Sequence, residues 1–389
     1  MQNWLGISWT ISNRYGWGVY GLNLALELID RGHPFPVCLE KIVLEHLPKE
    51  TVATLQPLVD FQNENLKHMH RVGKVATLQN TTVLHAMGNN LEWGLISHSF
   101  EGEANVGVIF FEDTNFSPEG LARMARLDCM IAGSTWNGRV LEEAGAKKVK
   151  TVFQGIDTRL FRPLPRKGVY DGKFAVFSGG KLDFRKGQDI VLEAFRIFSQ
   201  KHDDAILVTA WHNLWPYTAL GYIHSPHTKT LPKVDAEGNL KIAEWVAMHG
   251  IPPEKFIDLG LVPNDQMPDH LKEMDLALFP NRCEGGTNLV AMETMACGVP
   301  SIIAANTGQL DLSNEEHCFV LPSDAPVQLP EYGTDGWGES SVEELVALME
   351  KAYGDRMGTR ERGLAGAEFM HQWSWKNQIG KLLDALDEF

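Results

Sequence analysis

Two glutamates, Glu284 and Glu293, flank the run Gly285-Gly286-Thr287-Asn288-Leu289, between the apolar segment "LALFP" and a helix-like stretch that ends at Gly298. A strand running into paired glycines, and then a helix starting near Asn288, turns backbone N–H groups and the positive helix end toward one place. That arrangement suits a diphosphate. Glu293, about one and a half turns into the helix, can accept hydrogen bonds from a pair of vicinal hydroxyls, and carboxylates are good partners for ribose or hexose hydroxyls.

A second candidate lies near the start of the chain. "NRYGWGVYGLN" carries Gly16, Gly18 and Gly21 as a literal G-x-G-x-x-G between the strand candidate "NWLGISWTIS" and the helix-like "LNLALELIDRG", with Glu40 at roughly the ~20-residue spacing of a ribose-binding acid. Read so, the chain is an NAD(P)- or flavin-dependent oxidoreductase. Ser12, Asn13, Arg14 and Tyr15 nevertheless separate the strand end from the first glycine, whereas a dinucleotide turn is tight. The other reading is that these glycines merely let a strand-to-helix loop turn.

The elements that must position these residues alternate from end to end. β-type runs "FPVCLE", "VATLQ", "TVLHAM", "VGVIFF", "CMIAGS" and "KTVFQG" precede residue 155, and "FAVFSGG", "AILVTAW", "KFIDLG", "LALFP" and "PSIIAA" follow it. Helical patterns such as "SPEGLARMARL", "STWNGRVLEEAG", "GQDIVLEAFRIFSQKH" and "NDQMPDHLKEM" lie between them. This predicts an α/β class with parallel, doubly wound sheets. The Pro-, Gly- and charge-rich "DTRLFRPLPRKGVYDGK" predicts a linker, with domains over 1–165 and 166–365 and a ligand in the cleft between them. "NLWPYTALGYIHSPHTKTLPKVDAEG" reads as a long covering or functional loop.

Composition narrows the classes. At 389 residues, 44% hydrophobic and 22% charged, the chain has the make-up of a soluble globular protein of two domains. No stretch reads as a membrane span, and the first residues lack the pattern of a signal peptide. The expected location is the cytoplasm or, at most, peripheral contact with the inner face of a membrane. Five scattered cysteines without a C-x-x-C pair predict reduced thiols and no zinc site. The net charge is −15, all of it beyond Lys167, since 17 basic and 17 acidic residues balance up to that point. Nucleic acid binding is disfavoured. Lys147, Lys148 and Lys150 form either a local anion-facing patch or a solvated helix end.

The segment 281–312, "NRCEGGTNLVAMETMACGVPSIIAANTGQLDL", resembles the acidic motif of retaining, family-4 type glycosyltransferases of GT-B fold, the glycosyl transferases group 1. "TVFQGIDTRLFRP", "FSGGKLDFRKGQDIVLEAF", "FIDLGLVPNDQMPDHLKEMDLALFP" and the terminal "FMHQWSWKNQIGKLLDAL" are similar to further stretches of that family. Together they cover about residues 150–389, and the first domain only loosely. The family separates its two glutamates by seven residues; here eight stand between Glu284 and Glu293.

The resemblance implies two Rossmann-like domains facing across a cleft, with residues 366–389 as a helix crossing back to the first domain. It implies a donor site built from Lys181 and Lys186 on the diphosphate, Leu261 and Val262 at the base, and Glu284, Gly285, Gly286, Thr287, Asn288, Leu289 and Glu293 around the sugar and ribose. Gly16 and Gly18 would then approach the donor from the first domain, and Glu112 with Asp113 would either stand near the reacting sugar or cap the helix that begins at "SPEGLARM". The catalytic set is Glu284, Lys181, Lys186 and Glu112. The implied reaction moves a hexose-type sugar from a UDP or GDP donor to a glycan, lipid-linked or protein acceptor, with no cofactor or obligatory metal and with the acceptor attacking the face the diphosphate leaves. A nucleotide-sugar epimerase, a phosphorylase, an oxidoreductase using Gly16–Gly21, and a non-catalytic sugar-nucleotide or glycan-binding module remain as alternatives. Trp17 and Tyr15 could stack on sugar rings or simply pack; His85 and His98 read as structural.

Overall fold

The computed structural model describes residues 4–69, 75–212, 214–228 and 230–389. Asn3, Asn213 and Lys229, which fall in segments considered above, lie outside them. The chain forms two compact units, one of residues 1–155 with 373–389 and one of residues 156–372.

In the first unit, β1 (Trp4–Ile7), α1 (Gly16–Asp30), β2 (Val37–Cys38), α2 (Lys49–Met69), β3 (Ala76–Met87), β4 (Phe100–Ile109), α3 (Pro118–Met124), β5 (Cys129–Ala132), α4 (Thr135–Glu143) and β6 (Val149–Thr151) follow in order. The strands form a parallel sheet ordered β2-β1-β3-β4-β5-β6. "VATLQ" and "TVLHAM", expected as two strands, are one: a register shift between Leu78 and Thr82, with Asn80 at φ 48°, carries the chain through the polar "QNTT". α2 was not signalled by the sequence, because its polar face and the internal Pro57 mask its periodicity.

The second unit contains β7 (Phe174–Gly179), α5 (Gln188–Ser199), β8 (Ala205–Ala210), α6 (Ile242–Met248), β9 (Phe256–Asp258), α7 (Met267–Leu271), β10 (Leu276–Phe279), α8 (Leu289–Ala296), β11 (Ser301–Ala304), β12 (Phe319–Leu321), α9 (Val342–Gly354) and α10 (Arg356–His371). Its parallel sheet is ordered β12-β11-β10-β7-β8-β9. β7 and β10 are buried at every residue, as continuous apolar runs between two helical layers must be. Each core side chain such as Phe177 or Leu278 contributes about 1.5–3 kcal/mol by leaving water. Strand order reverses between β7 and β10, so the loops leaving their carboxyl ends splay apart and open a crevice there.

The division at 155/156 lies earlier than the expected 165/166. The reason is packing: Phe161 and Pro163 lie with Ala296 and Leu364 around a cavity within the second unit. All of α10 belongs there too, since Gly363 lies against the Gly298 carbonyl and Pro300. The terminal segment expected as one helix breaks at 372–374, where Ser374 caps α11 (Trp375–Leu386) through the Asn377 N–H at 3.3 Å. α11 belongs to the first unit: Trp375 stacks on Tyr20 at 5.4 Å, and the Lys376 carbonyl accepts from Arg31 at 2.6 Å.

The opening glycines are helical. Ser8 to Tyr15 separate β1 from α1, and Gly16, Gly18 and Gly21 sit inside the first two turns of α1 rather than in a tight turn. A Cβ on Gly18 would strike Ser12, and one on Gly21 would lie 2.8 Å from Trp9 Nε1. Close approach within the unit therefore explains these two glycines, whereas Gly16 has nothing within 4 Å of such a Cβ. Trp17 packs at 5.2 Å on Trp9 and edge-on at 5.0 Å to Phe110. Lys148 and Lys150 share Glu388, so the charge of their patch is partly compensated. All five cysteines are buried, and none is in a disulfide. Among the described residues no helix is long and apolar enough to cross a membrane.

Candidate donor site at the strand-order reversal

Two loops meet beyond β7 and β10. The first leaves β7 at Gly180, φ 104°, and enters α5 through Gly187, φ 70°; both are conformations that favour glycine. Gly187 is also required by space, because a Cβ there would collide with the Pro280 carbonyl of the second loop. Arg282 and Cys283 donate their N–H groups to the Arg185 carbonyl at 2.7 and 3.2 Å. The loops are thus joined backbone to backbone.

Their side chains converge on Glu284. Lys186 Nζ and Asn281 Nδ2 both donate to its Oε1, and Arg185 Nη1 donates to Oε2 at 3.1 Å. Burial alone would raise the Glu284 carboxyl, but Lys186 and Arg185 outweigh it and hold the group below the ordinary carboxylate range. Burial also pulls Lys186 below its ordinary value, with Glu284 opposing. Lys181, about one third exposed, pairs with Asp183 at 3.1 Å. Arg185 was missed in the sequence; three cations at 181, 185 and 186 in one short loop were a readable signal.

The second loop runs on into α8. Asn288 stands at φ 63° and caps the helix, its Oδ1 accepting from the Ala291 N–H at 3.4 Å. Its buried Nδ2 finds no acceptor among the described residues, an orphaned donor at a positive helix end. Gly285 and Gly286 are buried, and the Gly286 carbonyl lies against Gly308, where no side chain would fit. Thr287 is fully buried with its hydroxyl on Met292 Sδ, so its side chain packs beneath the loop; Leu289 is half-buried. Glu293 is buried, and burial pushes its carboxyl up to about 8 against a hydrogen bond from Asn264 Nδ2 at 2.7 Å. That bond ties Glu293 to the loop holding exposed Leu261 and half-buried Val262.

Arg282, next to this cluster, is completely buried. It forks onto Asp189 at 2.8 and 2.7 Å, meets Glu339 through Nε and through Nη2 at 2.8 Å, donates to the Phe184 carbonyl at 2.7 Å and lies 4.0 Å over the Phe184 ring. Burial would raise Glu339, but His227 and Arg282 hold it at about 2. Sequence reading passed over Arg282, because its partners are 93 and 57 residues away.

Gly16, Gly18 and Glu112 belong to the first unit. Glu112 and Asp113 follow β4 with their N–H groups on Asn89 Oδ1 at 2.8 and 3.2 Å. The helix cap they offered as an alternative belongs instead to Ser117, which accepts from Gly120 at 3.1 Å. His85 is buried against Trp93 and Asn105, and His98 is exposed.

This pair of six-stranded sheets is the GT-B fold of glycosyltransferases. The chain is similar to sucrose-phosphate synthase from Thermosynechococcus elongatus, with TM-score 0.66, 16% identity and 99% and 98% of the two chains covered. It is similar to Anabaena HepE solved with UDP-glucose, with TM-score 0.63, 14% identity and 99% of each chain covered. Residues 164–331, within the second unit, match the family model of glycosyl transferases group 1. A curated relative, D-inositol 3-phosphate glycosyltransferase 1 of Catenulispora acidiphila, is 27% identical over 175 residues, 42% of this chain and 37% of that protein's length.

Proposed function

We propose that the chain is a retaining glycosyltransferase that moves a hexose-type sugar from a nucleoside diphosphate to a glycan, lipid-linked or protein acceptor in the cytoplasm. The observation that carries this reading is the convergence of Lys186, Arg185, Glu284 and the Asn288 helix start where the strand order reverses. Lys181, Arg185 and Lys186 meet the charge that grows on the leaving diphosphate, and the unpartnered Asn288 Nδ2 adds a donor. Glu293 accepts the ribose hydroxyls, and the Leu261–Val262 backbone faces the base. As the diphosphate draws Lys186 and Arg185 to itself, Glu284 is released toward the sugar hydroxyls. The acceptor attacks the face the diphosphate leaves, so configuration is kept. The complexes of HepE with UDP and with UDP-glucose support a uridine donor; GDP is the other candidate.

The test is a thermal-shift panel of UDP, GDP, ADP and NAD(P) with the wild type, Glu293→Ala and Lys181→Ala/Lys186→Ala. A selective shift with one nucleoside diphosphate, lost in the variants, is expected. A shift with NAD(P) alone, unchanged in them, would move the site to the first unit and restore the oxidoreductase reading.

A further inference from the structure

The segment after β8 was expected as an irregular loop, yet it contains a 3-10 helix, Pro216–His224, laid on the diphosphate loop. Thr218 Oγ1 donates to the Leu182 carbonyl at 2.8 Å, and Tyr222 donates its hydroxyl to the Asp183 carbonyl at 3.0 Å. A 3-10 helix repeats every three residues, so positions three apart share a face. Ala219 and Tyr222 form the buried face. Tyr217, Leu220 and Ile223 fall on another, and they are 67%, 60% and 72% exposed; Leu214, just ahead of the helix, is 48% exposed. Trp215, 38% exposed, flanks the stripe.

Three large apolar side chains in register on one exposed face, with Leu214 and Trp215 exposed just ahead of them, are not the scattered surface hydrophobics of a folded protein. The charge around them is also distinctive. From Ala205 to Val234 there is no Asp or Glu, the longest such run in a chain that has 50 of them, and the run carries Lys229, Lys233 and three histidines. Lys233 is largely exposed and shares Glu244 at 2.8 Å. Aliphatic side chains bordered by Trp and Tyr, in a stretch cleared of carboxylates within an acidic protein, match an anionic bilayer surface, which repels acids, takes up aliphatics and seats aromatic rings at its headgroup level.

We propose that the Leu214–Ile223 stripe is a membrane-contact face that rests in the headgroup layer of anionic lipid. This surface does not depend on the transferase reading. Leaflet contact here would stand beside Lys181 and Lys186 in sequence-adjacent structure, so a lipid-borne acceptor would be presented next to the diphosphate loop.

The experiment is flotation of the full-length protein with vesicles of phosphatidylcholine alone and of phosphatidylcholine with phosphatidylglycerol, for the wild type, Leu220→Ser/Ile223→Ser and Leu214→Ser/Tyr217→Ser. Because these side chains are exposed, the variants should keep the wild-type melting temperature and nucleotide-induced shift. The wild type is expected to float with the mixed vesicles, more weakly with phosphatidylcholine alone, and each double variant to bind on the order of tenfold less. No wild-type flotation, or equal flotation of the variants, would overturn the proposal. So would a wild-type dimer in light scattering that the variants lose, since the stripe would then face a second copy.

Discussion

Lys186 and Glu284 form a buried ion pair across the carboxyl ends of β7 and β10, the two neighbouring strands at which the sheet order reverses. Each is the other's charge compensation inside the protein, and each is also a group that the proposed donor would recruit.

Removing one member should therefore cost more than removing both. Lys186→Met leaves Glu284 buried with Arg185 and Asn281, and the expected loss is about 3 kcal/mol. Lys186→Met/Glu284→Gln should recover part of it. Urea denaturation of the two single variants and the double variant measures the coupling; additive losses would mean the pair is not a unit.

The glycines separate by role. Gly187→Ala forces a side chain onto φ 70° and into the Pro280 carbonyl. It should lose about 1–3 kcal/mol from the backbone conformation, with the collision adding to that. Gly16→Ala, with open space around it, should be neutral or gain up to ~1 kcal/mol. Melting temperatures of the two variants decide, and a large loss at Gly16 would contradict the packing described here.

Glu293 predicts a pH dependence. Its value in the folded protein, about 8, lies above the ordinary 4.5. Its contribution to stability is thus complete below about 4.5 and is lost as pH rises through about 8, up to the order of 5 kcal/mol. Glu293→Gln should flatten the stability profile over that window. Hydroxyl donors favour the ionised carboxylate, so nucleotide affinity should rise through about pH 8 in the wild type and not in the variant. Calorimetric titration at several pH values reads this directly.

Arg282→Lys should fail as a substitute. A single ammonium cannot fork onto Asp189 while holding Glu339 and the Phe184 carbonyl, so buried Asp189 and half-buried Glu339 lose pairing. The expected cost is about 3–5 kcal/mol, with weaker nucleotide binding because the two loops lose their common anchor. Chemical denaturation and the nucleotide-induced thermal shift check the two halves of this statement.

The α/β class, most strands and the Glu284–Glu293 segment were legible because apolar runs, glycine turns and helix starts are local signals. β12 was not, since three residues carry no periodicity. Arg185 and Arg282 show a different limit: an arginine's meaning depends on which carboxylates the fold brings to it. The Gly16–Gly21 motif misled in the opposite sense, because a spacing that fits a phosphate turn also fits a helix that passes close to Ser12 and Trp9. The exposed stripe was hidden because 3-10 periodicity is neither the two of a strand nor the 3.6 of a helix.

The chain order of the two units has a consequence for biosynthesis. The second unit is one uninterrupted stretch ending at Gln372, whereas the first unit needs its last residues, whose Trp375 ring and Lys376 carbonyl meet Tyr20 and Arg31. On the ribosome, the unit that starts second can finish first. The one that starts first must wait, with the face of α1 that receives α11 uncovered, until α11 has left the exit tunnel. Truncations within α11 should therefore leave the second unit folded and strand the unit made before it.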